Sequence, residues 1–116
     1  MHTDEKRRMA EAVFEIVRRI PQGRATSYGA IARAVGYPGY SRLVGKIMAG
    51  SAGNDIPAHR VVNSQGILSG KEAFSNEGGM QALLEAEGVS VRNGRICHWK
   101  SIFWDPLEEI GFDSPE

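Results

Sequence analysis

Cysteine is almost missing from this chain. Cys97, in "RICHW", is the only one among 116 residues, so no internal disulfide can form and a cysteine-built zinc site is not expected. The simplest place for that thiol is a half-buried position in a hairpin. Long apolar runs are missing too: none approaches the roughly 18 residues that a membrane span needs. The first residues, MHTDEKRRMAEAV, carry charge where a signal peptide would carry a short apolar core and a cleavage site. A cytoplasmic protein with no membrane partner is expected. Repeats and low-complexity segments are absent, and the length suggests one domain spanning 1–116.

Net charge is missing as well, with 14 Lys and Arg against 14 Asp and Glu. Taken as a total this argues against a polyanionic partner. The distribution argues for one. Residues 1–60 carry ten Lys and Arg against five acids, and residues 61–116 carry four against nine. Charge segregated in this way suits a protein with one side facing a polyanion, although halves of a sequence need not be faces of a fold. Hydrophobic residues make up 41% and charged residues 24%, enough apolar material for a globular core rather than a disordered chain.

The pattern is mostly helical. Met9, Val13, Ile16, Val17 and Ile20 recur at three- and four-residue spacing, which predicts an amphipathic helix over 4–20 with Thr3 as its N-cap. Pro21-Gln22-Gly23 then turns the chain. "TSYGAIARAVG" predicts a short helix capped by Thr26 or Ser27 and closed at Gly36. "SRLVGKIMAG" predicts another, from Ser41 to about Gly50, with Leu43, Val44, Ile47 and Met48 apolar. Two ten-residue helices across a Gly/Pro turn suit a helix-turn-helix and equally an ordinary helical hairpin. "RVVNSQGILSG" reads as a short strand, a turn and an extended loop. "NEGGMQALLEAEG" reads as a helix with Met80, Leu83 and Leu84 inward and Gly88 at its end. "VSVRNGRICHW" is the clearest hairpin, two alternating runs about Asn93-Gly94. The expected class is therefore mostly α with a small β hairpin, arranged as a winged helix-turn-helix. The aromatics of the acidic tail, Trp99, Phe103 and Trp104, are expected to pack the hairpin rather than to stack on bases.

Taken in order, "IPQGRATSYGAIARAVGYPGYSRLVGKIMAG", "IPAHRVVNSQG" and "LLEAEGV" closely resemble the C-terminal domain of the O6-alkylguanine-DNA alkyltransferases, and most of all their non-enzymatic relatives, the alkyltransferase-like proteins. The similarity runs from about Ala10 to Val89. The enzymes carry Pro-Cys-His-Arg where this chain has Pro57-Ala58-His59-Arg60. They also often have a separate N-terminal domain, for which 116 residues leave no room.

The resemblance implies a set of roles. In the enzymes the cysteine takes the alkyl group, a histidine accepts its proton and a glutamate orients the histidine, the arrangement that a thiolate nucleophile needs. His59 and Glu87 match that pair, while Ala58 has no atom to activate. No transfer, no cofactor and no metal are expected, and His59 with Glu87 is expected to shape the pocket floor. Arg42 matches the finger that fills the gap left by a flipped base. Tyr28 matches the tyrosine that pushes on the target phosphate. Thr26 and Ser27 offer hydroxyls and amides to a phosphate. Gly45, Lys46 and Ala49 belong to a helix that enters the minor groove, which is only about 6 Å wide and favours small side chains. Tyr28, Pro57, Ala58, Val61, Ile67, Leu68, Ser69 and Lys71 are expected to line the lesion pocket, with loop amides and the Ser69 hydroxyl reading the base edge. Alanine at 58 leaves room for alkyl groups larger than methyl. The enzymes' hinge asparagine falls at Asn54 or Ser51.

The expected partners are duplex DNA containing O6-alkylguanine and nucleotide excision repair proteins, with the protein itself a monomer. Two other readings stay open at this point: a true alkyltransferase carrying an engineered Cys-to-Ala change at position 58, and a winged helix-turn-helix regulator of transcription.

Overall fold

The computed structural model describes residues 2–51, 55–68 and 79–111. Helix α1 spans Thr3–Arg18 and buries Met9, Val13, Ile16 and Val17, four of the five residues of the stripe that the spacing predicts; it ends two residues short of the expected Ile20, which is buried beyond it. Its start differs by one residue from the sequence expectation. His2, not Thr3, is the N-cap: its ring accepts from the Asp4 amide at 3.3 Å, and the Glu5 carboxylate accepts from the His2 amide at 3.1 Å. This is the reciprocal bonding of a capping box with imidazole in place of a hydroxyl.

A two-residue strand, β1 (Thr26–Ser27), leads straight into α2 (Tyr28–Ala34). The Ser27 hydroxyl accepts from the Ala30 amide at 3.1 Å and starts the helix. At its far end the Gly36 and Tyr37 amides return to the Arg33 and Ala32 carbonyls, at 3.1 and 2.9 Å, a Schellman closure. Helix α3 (Ser41–Ala49) follows and packs against α2, burying Val44 and Met48.

The next described segment opens with a single 3-10 turn, Ala58–Arg60, which runs directly into strand β2 (Val61–Val62). Strand β2 pairs in parallel with β1, Thr26 opposite Val61 and Ser27 opposite Val62. Because successive strand residues point to opposite faces, Val61 joins an apolar cluster with α1, α2 and α3, and Val62 joins a second cluster with Ala25, Leu68, Met80, Leu84, Val89 and Ile96. Each fully buried aliphatic side chain of this kind contributes about 1.5–3 kcal/mol. The short parallel pair thus separates two cores and sets the start of α2 beside the Ala58–Arg60 turn.

Helix α4 (Gly79–Ala86) buries Met80 and Leu84. Leu83, expected to point inward, is 44% exposed; on this short helix the inward stripe is met by residues 80 and 84 alone. The hairpin forms where Asn93-Gly94 predicts it, as β3 (Val91–Arg92) and β4 (Arg95–Ile96), with φ of 54° at Asn93 and 73° at Gly94. Positive φ at both central residues marks the turn whose twist suits two strands. Cys97, half-buried, follows β4.

The tail is woven into the fold. Helix α5 (Trp99–Ile102) is followed by a bridge between Ala25 and Phe103 and by a π-helical turn, Leu107–Gly111. Trp104 is buried in the first core. Trp99 packs on Phe103, ring centres 5.3 Å apart, and lies so close to Gly66 (φ +81°) that a Cβ there would meet the indole at 3.0 Å. Trp99 thus packs with the hairpin's Val91 and Ile96 as expected, whereas Trp104 packs in the first core and not on the hairpin. Among the described residues no helix is long and apolar enough to cross a membrane, and no cluster of three metal-ligating side chains occurs.

Candidate nucleic-acid interface

Two constellations of charge stand out, one closed and one open. The closed one is centred on Glu87, at the end of α4. His59 Nε2 lies 2.7 Å from Glu87 Oε2, so the expected pair is formed. Arg60 adds more than the sequence suggested: its Nη2 donates to Oε2 at 2.6 Å and its Nε to Oε1 at 3.0 Å. The Gly23 amide donates to Oε1 at 3.0 Å, and Arg60 Nη1 donates to the Ile20 carbonyl at 2.7 Å. The hub joins the segment after α1, the Ala58–Arg60 turn and the end of α4.

The side chains of His59, Arg60 and Glu87 are only 12, 16 and 10% exposed. Burial alone would raise the Glu87 carboxyl. The guanidinium of Arg60, the Gly23 amide and His59 outweigh it and bring the group from 4.5 down to about 2. Glu87 is therefore ionised at neutral pH and can only accept, so His59 Nε2–H donates and Nδ1 is the ring's other nitrogen. Arg60 and Gly23 were missed in the sequence. A signal existed: a buried carboxylate needs more than one partner to stay charged, and Arg60 is the cation next to His59 in the sequence.

The open constellation is a cleft of about 560 Å³. Tyr28, Arg33, Arg42 and Gly45 line it from α2 and α3, and Asn63 and Ser64 line it from the turn after β2. Arg42 and Lys46 are exposed, as is Ala49 one turn further on. Their spacing puts them on one face of α3, opposite the buried Val44 and Met48. A Cβ on Gly45 would meet nothing within 4 Å. The absent side chain thus serves the outer surface, not packing inside the protein. Tyr28 is half-buried and packs against the first core, as does Ala58.

Other expected site residues fall elsewhere. Thr26 is 0% and Ser27 4% exposed. The Ser27 hydroxyl is spent on the Ala30 amide, and the Thr26 hydroxyl is buried with no hydrogen-bond partner among the described residues. Strand pairing with β2 draws both residues inward, so their hydroxyls are not presented to a phosphate. Val61 and Leu68 are core residues of the first and second clusters. The amides expected to read a base are engaged at this end of the loop. The Ile67 amide donates to Asn63 Oδ1 at 2.9 Å and the Leu68 amide to the Gly94 carbonyl at 2.9 Å. Pro57, Ala58, Val61, Ile67 and Leu68 are not among the walls of the cleft. Ser69, Lys71 and Asn54 lie outside the described residues, and Ser51 is 6% exposed.

The basic half of the sequence is not one basic face. Arg7 pairs with Asp4, and Arg18 and Arg19 with Glu15. Arg24 donates to the Ile102 and Phe103 carbonyls at 2.9 and 2.7 Å, and Arg60 belongs to the hub. Arg33, Arg42 and Lys46 have no acceptor among the described residues.

Known proteins resemble this chain in sequence and fold. Residues 8–89 match the family described as 6-O-methylguanine DNA methyltransferase, DNA binding domain. A DNA base-flipping protein of Vibrio parahaemolyticus is 38% identical over 81% of this chain and 93% of its own length. Alkyltransferase-like protein 1 of Schizosaccharomyces pombe is 35% identical over 81% of this chain and 92% of its own. The crystal structure of S. pombe Atl1 in complex with damaged DNA containing O6-carboxymethylguanine superposes with a TM-score of 0.76 at 34% identity, covering 90% of this chain and 98% of that one. The O6-methylguanine methyltransferase of Mycobacterium tuberculosis gives 0.53 at 34% identity, over 75% of this chain and 50% of the enzyme. With its fold, its helix pair and most of its length matched in this way, the chain belongs to the family of the 6-O-methylguanine DNA methyltransferase DNA-binding domain.

Proposed function

We propose that this protein recognises O6-alkylguanine in duplex DNA, turns the damaged base out of the stack and holds it without repairing it. The observation that carries this reading is the Glu87 hub. His59 and Glu87 are in contact at 2.7 Å, as an activated thiolate would need, and the side chain beside them is the methyl of Ala58. Base and orienter are kept where there is nothing to activate. What persists is a turn tied to Glu87 that has no atom to accept an alkyl group.

Recognition then rests on the open cleft. Extruding a base costs a few kcal/mol, and least for one that already pairs poorly. In this reading Arg42, exposed at the start of α3, occupies the vacated stack. Tyr28, which lines the cleft, presses on the nucleotide's phosphate in the same reading. The small face of α3, Gly45 and Ala49, lets a helix approach the narrow minor groove. The relatives named as base-flipping and alkyltransferase-like proteins support the same reading. A bent, occupied and unrepaired site is a suitable mark for nucleotide excision repair, which completes the proposal.

The test is a titration of the purified protein against two duplexes that differ only in one O6-methylguanine, followed by recovery of the DNA. Tighter binding to the modified duplex with the adduct intact is the expected result. Loss of the adduct would show a methyl acceptor, and equal binding would favour a sequence-reading regulator.

A further inference from the structure

We propose that Arg33 is a phosphate clamp for the lesion-bearing strand, a second cation acting beside Arg42. The inference rests on the reading that the cleft receives damaged duplex DNA, and it names a contact that this reading does not require.

Arg33 lies in the last turn of α2 and lines the same cleft as Tyr28, in the first turn, and Arg42, at the start of α3. The walls of this cleft hold two arginines and no carboxylate. The guanidinium folds back along its own helix toward Gly29, another wall of the cleft: a Cβ on Gly29 would lie 3.8 Å from Arg33 Nη1. It is directed over the cleft rather than away from it. Arg33 is exposed and has no acceptor among the described residues, whereas Arg7, Arg18, Arg19, Arg24 and Arg60 each have one.

A planar guanidinium offers two parallel N–H donors, the geometry that matches two oxygens of a phosphodiester. A cation left unpaired in a cleft without acids attracts an anion, and the anion that duplex DNA carries at every step is phosphate. The strand follows from the neighbour. Tyr28 shares the cleft and is assigned to the phosphate of the flipped nucleotide, so the phosphate within reach of Arg33 belongs to the same strand. Tyr28 would press while Arg33 holds.

The test compares wild type, Arg33→Gln and Arg33→Lys on an O6-methylguanine duplex and its unmodified twin, across a salt series. It adds a set of duplexes in which single phosphates are replaced by neutral methylphosphonate. Arg33→Gln should bind both duplexes about tenfold more weakly at 0.1 M salt, with the slope of log K against log salt smaller by about 0.9. Arg33→Lys should keep that slope. One methylphosphonate in the lesion strand should weaken wild type about tenfold and Arg33→Gln no further, since the charge it removes has already lost its partner. Unchanged affinity and slope would overturn the proposal. So would losses that add at every position, a coupled position in the complementary strand, or an altered base preference. If wild type itself ignores the lesion, the proposed function fails, whatever Arg33→Gln does to the salt slope.

Discussion

The Glu87 hub and the α2–α3 cleft are built from the same chemical groups and treat them in opposite ways. In the hub, two basic side chains and a backbone amide converge on one carboxylate. In the cleft, two arginines stand without an acid. Charges that satisfy one another hold three segments of chain together. Charges left unsatisfied are the ones available to something outside. The comparison also explains why a chain of zero net charge suits a polyanion: internal pairing spends about half of the basic residues in 1–60, and those left over include Arg33, Arg42 and Lys46 on adjacent helices.

If the hub is scaffold, breaking it should cost stability and leave the cleft's salt response alone. Glu87→Gln keeps the shape but strands Arg60 beside a neutral amide. A carboxyl held at about 2 against an ordinary 4.5 corresponds to about 3 kcal/mol at neutral pH, the largest effect expected here. The folded-state value is depressed, so this stabilisation is fully present above about pH 4.5 and is lost as pH falls toward 2. Urea denaturation at pH 7 should place the variant about 3 kcal/mol below wild type, and the gap should close between pH 4.5 and 2. A gap independent of pH would mean that Glu87 acts by shape and not by charge.

If the cleft is interface, emptying it should do the reverse. Arg42 is exposed and has no acceptor among the described residues, so Arg42→Ala should leave unfolding unchanged within about 0.5 kcal/mol. Lesion binding should weaken by about 2 kcal/mol, roughly thirtyfold, because the extrahelical state loses the group that fills the stack. A base analogue that fluoresces when unstacked, placed opposite the lesion, would report the change directly. An unaltered signal and affinity would sink the flipping role of Arg42.

Local physics was legible in the sequence and long-range pairing was not. The α1 stripe, the Ser27 cap and the Asn93-Gly94 turn depend on neighbours within a few residues, and each formed as its spacing dictates. The β1–β2 pair joins two-residue strands more than thirty positions apart, too short to show any alternation. The site therefore departs most from the sequence expectation at Thr26 and Ser27, which are strand residues in the core and not exposed phosphate ligands. The resemblance identified His59 and Glu87 by type, but only the fold brings Arg60 and Gly23 to the same carboxylate. Arg33 escaped because a lone arginine at the end of a short helix has no local signature. Its meaning comes from the cleft.

The smallest test is also the one that can set the two regions' demands against each other in a single residue. Gly45 is inside a helix, where glycine costs about 0.5–1 kcal/mol relative to alanine, and an added Cβ would meet nothing within 4 Å. Folding alone would therefore favour alanine. Gly45→Ala should raise stability by about 0.5–1 kcal/mol in urea. If α3 enters the minor groove by this face, the same methyl should weaken DNA binding severalfold, since the groove is narrow and the contact is with its walls. Opposite signs in the two measurements would mark Gly45 as kept for the duplex at the expense of the helix. Gains in both would move the contact surface off this face of α3, toward Arg33 and the Asn63–Gly66 turn.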